Sequence, residues 1–158
     1  MKRGQAFDTM MLVISVIVAV AILGVLLGFI GSINLTTTDA KMVMSDLMKT
    51  VDQRGHGLEL KEGEFAEGSR IFRVDARGEL PIKTDKIQFH CSSNGFCDGG
   101  SEAPLKVNGR ESITVDEKIS ATIVVCKEVS GGDYHICIGE RDNKDEPSDD
   151  CARECGLS

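Results

Sequence analysis

Hydrophobic positions along the chain change their spacing twice, and each change marks an element. From Met10 to Ile33 no charge interrupts 24 residues, and the uncharged stretch runs on to Thr38 before Asp39. At a helical rise of ~1.5 Å per residue this length covers roughly the 30 Å hydrocarbon core of a bilayer. It is predicted to span one. The pattern then becomes one-sided: Ala40, Val43, Met44, Leu47, Met48 and Val51 recur at helical spacing, while Asp39, Lys41, Asp46 and Lys49 fall mostly elsewhere. The two stretches read as one long helix over residues 5–54, a span at about 10–33 followed by an amphipathic continuation over 39–53. Its weak joint is LTTTD, where Thr38 or Asp39 could cap a fresh helix start. Gly55 and Gly57 end the helix and form a neck, in which His56 reads as a solvated loop residue.

Beyond the neck, over residues 55–158, the period falls to two. Strands are predicted at Gly57–Leu60, Arg70–Asp75, Lys86–Cys91, Glu111–Val115, Ile119–Lys127 and Tyr134–Ile138, separated by Gly, Pro, Asn and Asp. The clearest hairpin places a two-residue turn at Gly131 and Gly132. Its register pairs Ser130 with Asp133, Val129 with Tyr134 and, counting outwards, Cys126 with Cys137. Ile123, Val125, Val129, Tyr134, Ile136 and Ile138 then share a face that should pack on the helix. Val107–Arg110 carries a second turn signal, VNGR. The predicted fold class is α+β: a long N-terminal helix, transmembrane and then amphipathic, packed on a small antiparallel β-sheet head held by disulfides.

Cysteine and charge sharpen this picture. All six cysteines, at Cys91, Cys97, Cys126, Cys137, Cys151 and Cys155, lie beyond the span, and an even number in a small domain suits a disulfide framework made in an oxidising compartment. Pairing nearest neighbours in sequence gives Cys91–Cys97, Cys126–Cys137 and Cys151–Cys155. The middle pair falls at a hydrogen-bonded position, where side chains are not closest, so a bulge or another partner stays open. The last would be strained if its C-x3-C spacing lies on a helix. Removing Lys2, Arg3 and Asp8 from the totals of 18 basic and 25 acidic residues leaves 16 and 24, a charge of −8 after the span. Such a surface repels nucleic acid and anionic lipid. Lys2 and Arg3 before the span place the N-terminus in the cytoplasm by the positive-inside rule, and the head outside.

The head of the chain is unlike an ordinary export signal. Such a signal has an apolar region of about 7–15 residues followed by a small-residue cleavage site, whereas here the small residue and the charges, KRGQAFD, come first. KRGQAFD ahead of about two dozen apolar residues resembles the class III signal peptide of type IV pilin-like proteins, particularly the archaeal forms. The resemblance covers roughly the first 30 residues. It implies cleavage between Gly4 and Gln5 by a prepilin peptidase on the cytoplasmic side, loss of residues 1–4, and retention of the apolar helix. It further implies a single-pass membrane protein that assembles through that helix into a cell-surface filament, of its own copies or with other pilins, by a dedicated machinery. Bacterial pilins commonly begin with Phe or Met and carry Glu at the fifth mature position, whereas here Gln5 is first and Asp8 fourth. That departure favours an archaeal-type system. On physical grounds a carboxylate at the edge of a span needs a partner or headgroup water, and a freed α-amine at Gln5 would be one for Asp8. Gly24, Gly28 and Ser32 form a small-xxx-small face suited to close helix contact.

Other signals point away from catalysis. GFCDG at Gly95–Gly99 has the form of a nucleophile elbow around Cys97, but that motif needs a strand-to-helix turn in a parallel sheet. CSSNGFC reads instead as an Asn-Gly turn closed by Cys91 and Cys97. The cysteine spacings lack C-x2-C knuckles, so zinc is not expected even with His90 and His135 nearby. RDNKDEPSDD gathers Asp142, Asp145, Glu146, Asp149 and Asp150 without EF-hand order, and reads as a solvated loop. Asn34-Leu35-Thr36 is a glycosylation sequon beside the membrane. No catalytic residue, metal or cofactor is assigned. The competing reading is a permanently anchored protein whose disulfide-bonded head binds a ligand, and cleavage after Gly4 separates the two.

Overall fold

A computed structural model of the chain describes residues 3–32, 39–93, 96–97 and 102–157, with the side chains of the first helix described over 10–26. The chain divides into two units, Met1–Thr37 and Thr38–Ser158. The first unit contains α1, Arg3–Ser32, a helix of 30 residues. The second contains α2 (Ala40–Arg54), β1 (Gly57–Phe65), β2 (Arg70–Phe72), α3 (Arg73–Arg77), β3 (Ile87–Cys91), β4 (Leu105–Asn108), β5 (Ser112–Val115), β6 (Ile119–Lys127), β7 (Tyr134–Glu140) and α4 (Asp145–Glu154).

The expectation of one helix from 5 to 54 is corrected at Asp39. Its ψ of 123° is not helical, and its side chain accepts the Lys41 N–H at 2.8 Å, so α2 starts afresh. The far end is as the neck predicted. Gly55 adopts the left-handed conformation at φ 78°, which lets its N–H reach the Val51 carbonyl at 2.9 Å and close the last turn. All six apolar positions expected to face the sheet, from Ala40 to Val51, are buried there. Their partners include Phe65, Phe89, Ile123, Val125 and Ile136.

The sheet is mixed, not purely antiparallel, and a second sheet accompanies it. The first has the order β1-β6-β7-β3 and the second β2-β5-β4. β3 runs parallel to β7, with Gln88 opposite His135 and His90 opposite Cys137. A parallel pair needs a long connection, and here the chain between them makes β4, β5 and β6. β4 was not among the predicted strands, although the VNGR turn that joins it to β5 was. β1 extends five residues beyond the predicted Leu60 to Phe65 and pairs with β6 along its whole length. The predicted strand Arg70–Asp75 stops at Phe72, because the Asp75 carboxylate accepts the Phe72 N–H at 2.8 Å and turns the chain into α3.

The β6–β7 hairpin differs from its predicted register by two residues. The favoured two-residue hairpin turns need positive φ at their first residue, with or without the second, and here Gly131 lacks it while Gly132 has it, at 70°. Instead the Glu128 N–H donates to the Asp133 carbonyl at 2.7 Å. The ladder therefore closes at Lys127–Tyr134, with Cys126 opposite His135 and Val124 opposite Cys137. A slip of two leaves every side chain on its own face. Ile123, Val125, Tyr134, Ile136 and Ile138 accordingly still face α2, while Val129 falls in the loop and is exposed.

A polar tie fastens the end of α2 to this hairpin. Tyr134 donates its hydroxyl to the Asp52 carboxylate, and Lys127 Nζ lies 3.4 Å from the same oxygen. The tyrosine hydrogen bond, with Lys127 behind it, holds the Asp52 carboxyl below its ordinary value of 3.8. A carboxylate whose folded value is lowered contributes stability above that ordinary value and loses it as pH falls through the folded one. Asp52→Asn is thus expected to lower stability by about 1 kcal/mol near neutrality, the site being partly solvated, and to flatten the acid limb below pH ~4. Tyr134 is the only tyrosine and the chain has no tryptophan, so urea titrations followed by tyrosine fluorescence at several pH values check this at the residue concerned.

Candidate functional site

Two surfaces carry the sequence-derived expectations, one in each unit. In α1 the large apolar side chains between Met10 and Leu26 are 51% to 71% exposed, with no shielded side. In that stretch the polar residue is Ser15, and its hydroxyl donates to the Met11 carbonyl at 2.8 Å, so the helix satisfies it internally. A Cβ added at Gly24 would meet nothing within 4 Å. That glycine is therefore not required by packing inside its own chain. Gly4, Gln5, Asp8, Gly28 and Ser32 all fall within α1, and their side chains lie outside the described residues, as do Asn34–Thr36 and the Asn94-Gly95 turn. No helix among the described residues is long and apolar enough to cross a membrane. The side chains described in α1 are those of 17 residues, 10–26, or roughly 25 Å of helix.

The second surface is the outer face of β6 and β7, where Cys126, Cys137, Cys151 and Cys155 lie. All six cysteines are in disulfides, and the pairing is Cys91–Cys97, Cys126–Cys155 and Cys137–Cys151. The first agrees with the nearest-neighbour expectation; the other two correct it. The reason is that RDNKDEPSDD is no loop: residues from Asp145 onward form α4. Acidic residues in its first turn suit the positive end of the helix dipole, and Pro147 sits in that turn, where a missing N–H costs nothing. Cys151 and Cys155 are four residues apart and thus face the same way. They reach the two strands instead of each other, with Cα–Cα distances of 6.2 Å for Cys126–Cys155 and 5.7 Å for Cys137–Cys151. Gly139 permits this approach, since a Cβ there would stand 2.8 Å from Pro147. Cys97, the candidate elbow nucleophile, is bonded to Cys91.

On the same outer face His90 of β3 and His135 of β7 meet, Nε2 to Nδ1, at 2.8 Å. Burial holds His90 down at about 4 and lowers His135 as well, so both rings are neutral at pH 7. Glu154, at the end of α4, brings a carboxylate oxygen within 4.8 Å of one nitrogen of each ring. Sequence reasoning noted the two histidines but not their meeting. Only the parallel placement of β3 beside β7 puts them side by side.

No family model matches the chain, and neither does any curated protein or solved structure. Its function is therefore argued from its own residues.

The pairing itself is open to a direct check. Peptide mapping without reduction is expected to return Cys126–Cys155 and Cys137–Cys151 peptides and none linking Cys126 to Cys137. Replacing both Cys137 and Cys151 by Ala opens a bridge spanning 14 residues and is expected to cost ~3 kcal/mol of stability.

Proposed function

We propose that the chain is a structural subunit, major or minor, of a type IV pilus-like extracellular filament, processed by a prepilin peptidase and assembled through its N-terminal helix. The observation that carries this reading is α1: a 30-residue helix whose described side chains, Ser15 aside, are apolar and exposed on every side. A helix without a preferred face lacks the one-sidedness by which a surface helix docks on a core, and it is stable where apolar material surrounds it. Lipid provides that before assembly and the helices of neighbouring subunits provide it afterwards. The KRGQAFD head supports the same reading, since cleavage after Gly4 would leave this helix at the start of the mature chain. Three disulfides in the second unit support an oxidising location for the head. In this account Met10–Ile33 spans the membrane with the N-terminus in the cytoplasm, and later forms the filament interior. Asp8 pairs there with the amine of Gln5, and Gly24, Gly28 and Ser32 make the closest helix contacts.

The mature chain is expected to begin at Gln5, and mass spectrometry of protein from a host that has the peptidase checks it. An intact Met1, Lys2 or Arg3 terminus would contradict the proposal, and a bulky residue in place of Gly4 should block processing. Gly24→Leu and Gly28→Leu are expected to insert in the membrane as well as the parent, because Leu is favourable there, yet to reduce filament yield severely. Asp8→Ala should act in the same sense. Normal assembly by the two Leu variants would favour the anchored binding protein.

A further inference from the structure

We propose that His90, His135 and Glu154 form a zinc site on the outer face of the head, with a fourth position open to water. The observation is a convergence from three separate parts of the chain. His90 comes from β3, His135 from β7 and Glu154 from the last residue of α4, and their ligating atoms all lie within 4.8 Å of one another. Two imidazoles and a carboxylate are a set that zinc takes, with a free position completing a tetrahedron.

Each of the three is also held in place by a neighbouring disulfide. Cys91, next to His90, is bonded to Cys97; Cys155, next to Glu154, is bonded to Cys126; and Cys126 stands opposite His135 in the ladder. Backbone fixed in this way lowers the cost of ordering the three ligands. His135 is nearly buried, at 6% exposed, while His90 and Glu154 border an open cleft with Val107, Gly109 and Arg110. An ion therefore has a path in. The two facing nitrogens are 2.8 Å apart, and tetrahedral zinc with bonds of ~2.0–2.1 Å would hold them about 3.3 Å apart. To hold an ion the facing nitrogens part by about 0.5 Å, and the two rings, whose centroids lie 5.0 Å apart, turn so that their lone pairs point at the ion and no longer at each other. The ring that carries the shared proton moves it to its far nitrogen, so both rings stay neutral. Arg110 is the opposing charge at the cleft, and its guanidinium is engaged by the Gln88 side-chain oxygen at 3.3 Å. An ion there would tie the end of α4 to the edge strand β3, beyond the reach of the two disulfides that already hold the helix.

This site stands whether or not the chain assembles. Its test uses the full chain in detergent, disulfides intact, stripped of metal with a chelator and titrated calorimetrically with zinc chloride alone. One zinc per chain with Kd at or below about 10 µM is expected, an affinity within reach of a three-ligand site. His90→Ala and Glu154→Gln should each weaken it about tenfold or more, while His56→Ala, which removes the remaining histidine, should change nothing. Cobalt should give the intense visible absorption of a four-coordinate ion in the parent and lose it in His90→Ala. Glu154 is exposed, so its Gln variant is expected to keep the fold, and near-ultraviolet dichroism of Tyr134 verifies that. No saturable binding by the parent at about 100 µM zinc, or equal binding by the Glu154→Gln and His90→Ala variants, would overturn the site.

Discussion

The architecture of the head follows from one constraint: the two central strands are buried on both of their faces. Every residue from Ala121 to Cys126 in β6 is buried, and so is every residue from Tyr134 to Gly139 in β7. A hairpin of alternating side chains can reach that state only if something covers each side. α2 covers one with a stripe of six apolar residues. α4 covers the other by a different means, because ten residues carrying mostly charges offer little apolar area. Pro147 and two cysteines make the contact, and two covalent bonds hold what hydrophobic burial alone would hold weakly. The disulfides thus substitute for a core that a head of this size cannot build on both sides.

The same constraint explains where the polar groups sit. Asp52, Lys127 and Tyr134 meet at the end of α2, where the inner layer opens to solvent and a carboxylate can keep water as well as a hydroxyl partner. His90 and His135 lie on the outer face, beside the cover of α4, and satisfy each other where the cover is incomplete. Neither cluster extends the apolar layer. Each fixes the edge of one.

Much of this was legible in the residues, for identifiable reasons. The stripe from Ala40 to Val51 and the alternation in β6 and β7 are strong periodic signals, and the buried face followed correctly even though the hairpin register was two residues off. Parity survives an even slip; opposition does not. That slip is what places Cys126 opposite Cys137 in the predicted register, where the structure places His135. The decisive missing piece was α4: ten residues with six charges show a helix only through Pro147, Cys151 and Cys155 at four-residue spacing, a stripe narrow enough to pass for a loop. With α4 absent, Cys151 and Cys155 had only each other, and Glu154 had no place near the histidines. β3 was seen as a strand, but its parallel position beside β7 is a non-local choice that no local pattern encodes. In α1 the sequence was legible as an apolar helix throughout, and its intended surroundings rest on the KRGQAFD head.

The chain divides into a head with a core of its own and a helix without one. Sedimentation of a truncated chain beginning at Asp39, compared with the full chain, tests that division most directly. The account expects the truncated chain to remain a soluble, disulfide-bonded monomer without detergent at high concentration, while the full chain needs detergent or forms filaments. Filaments or large ordered assemblies made by the truncated head alone would contradict it.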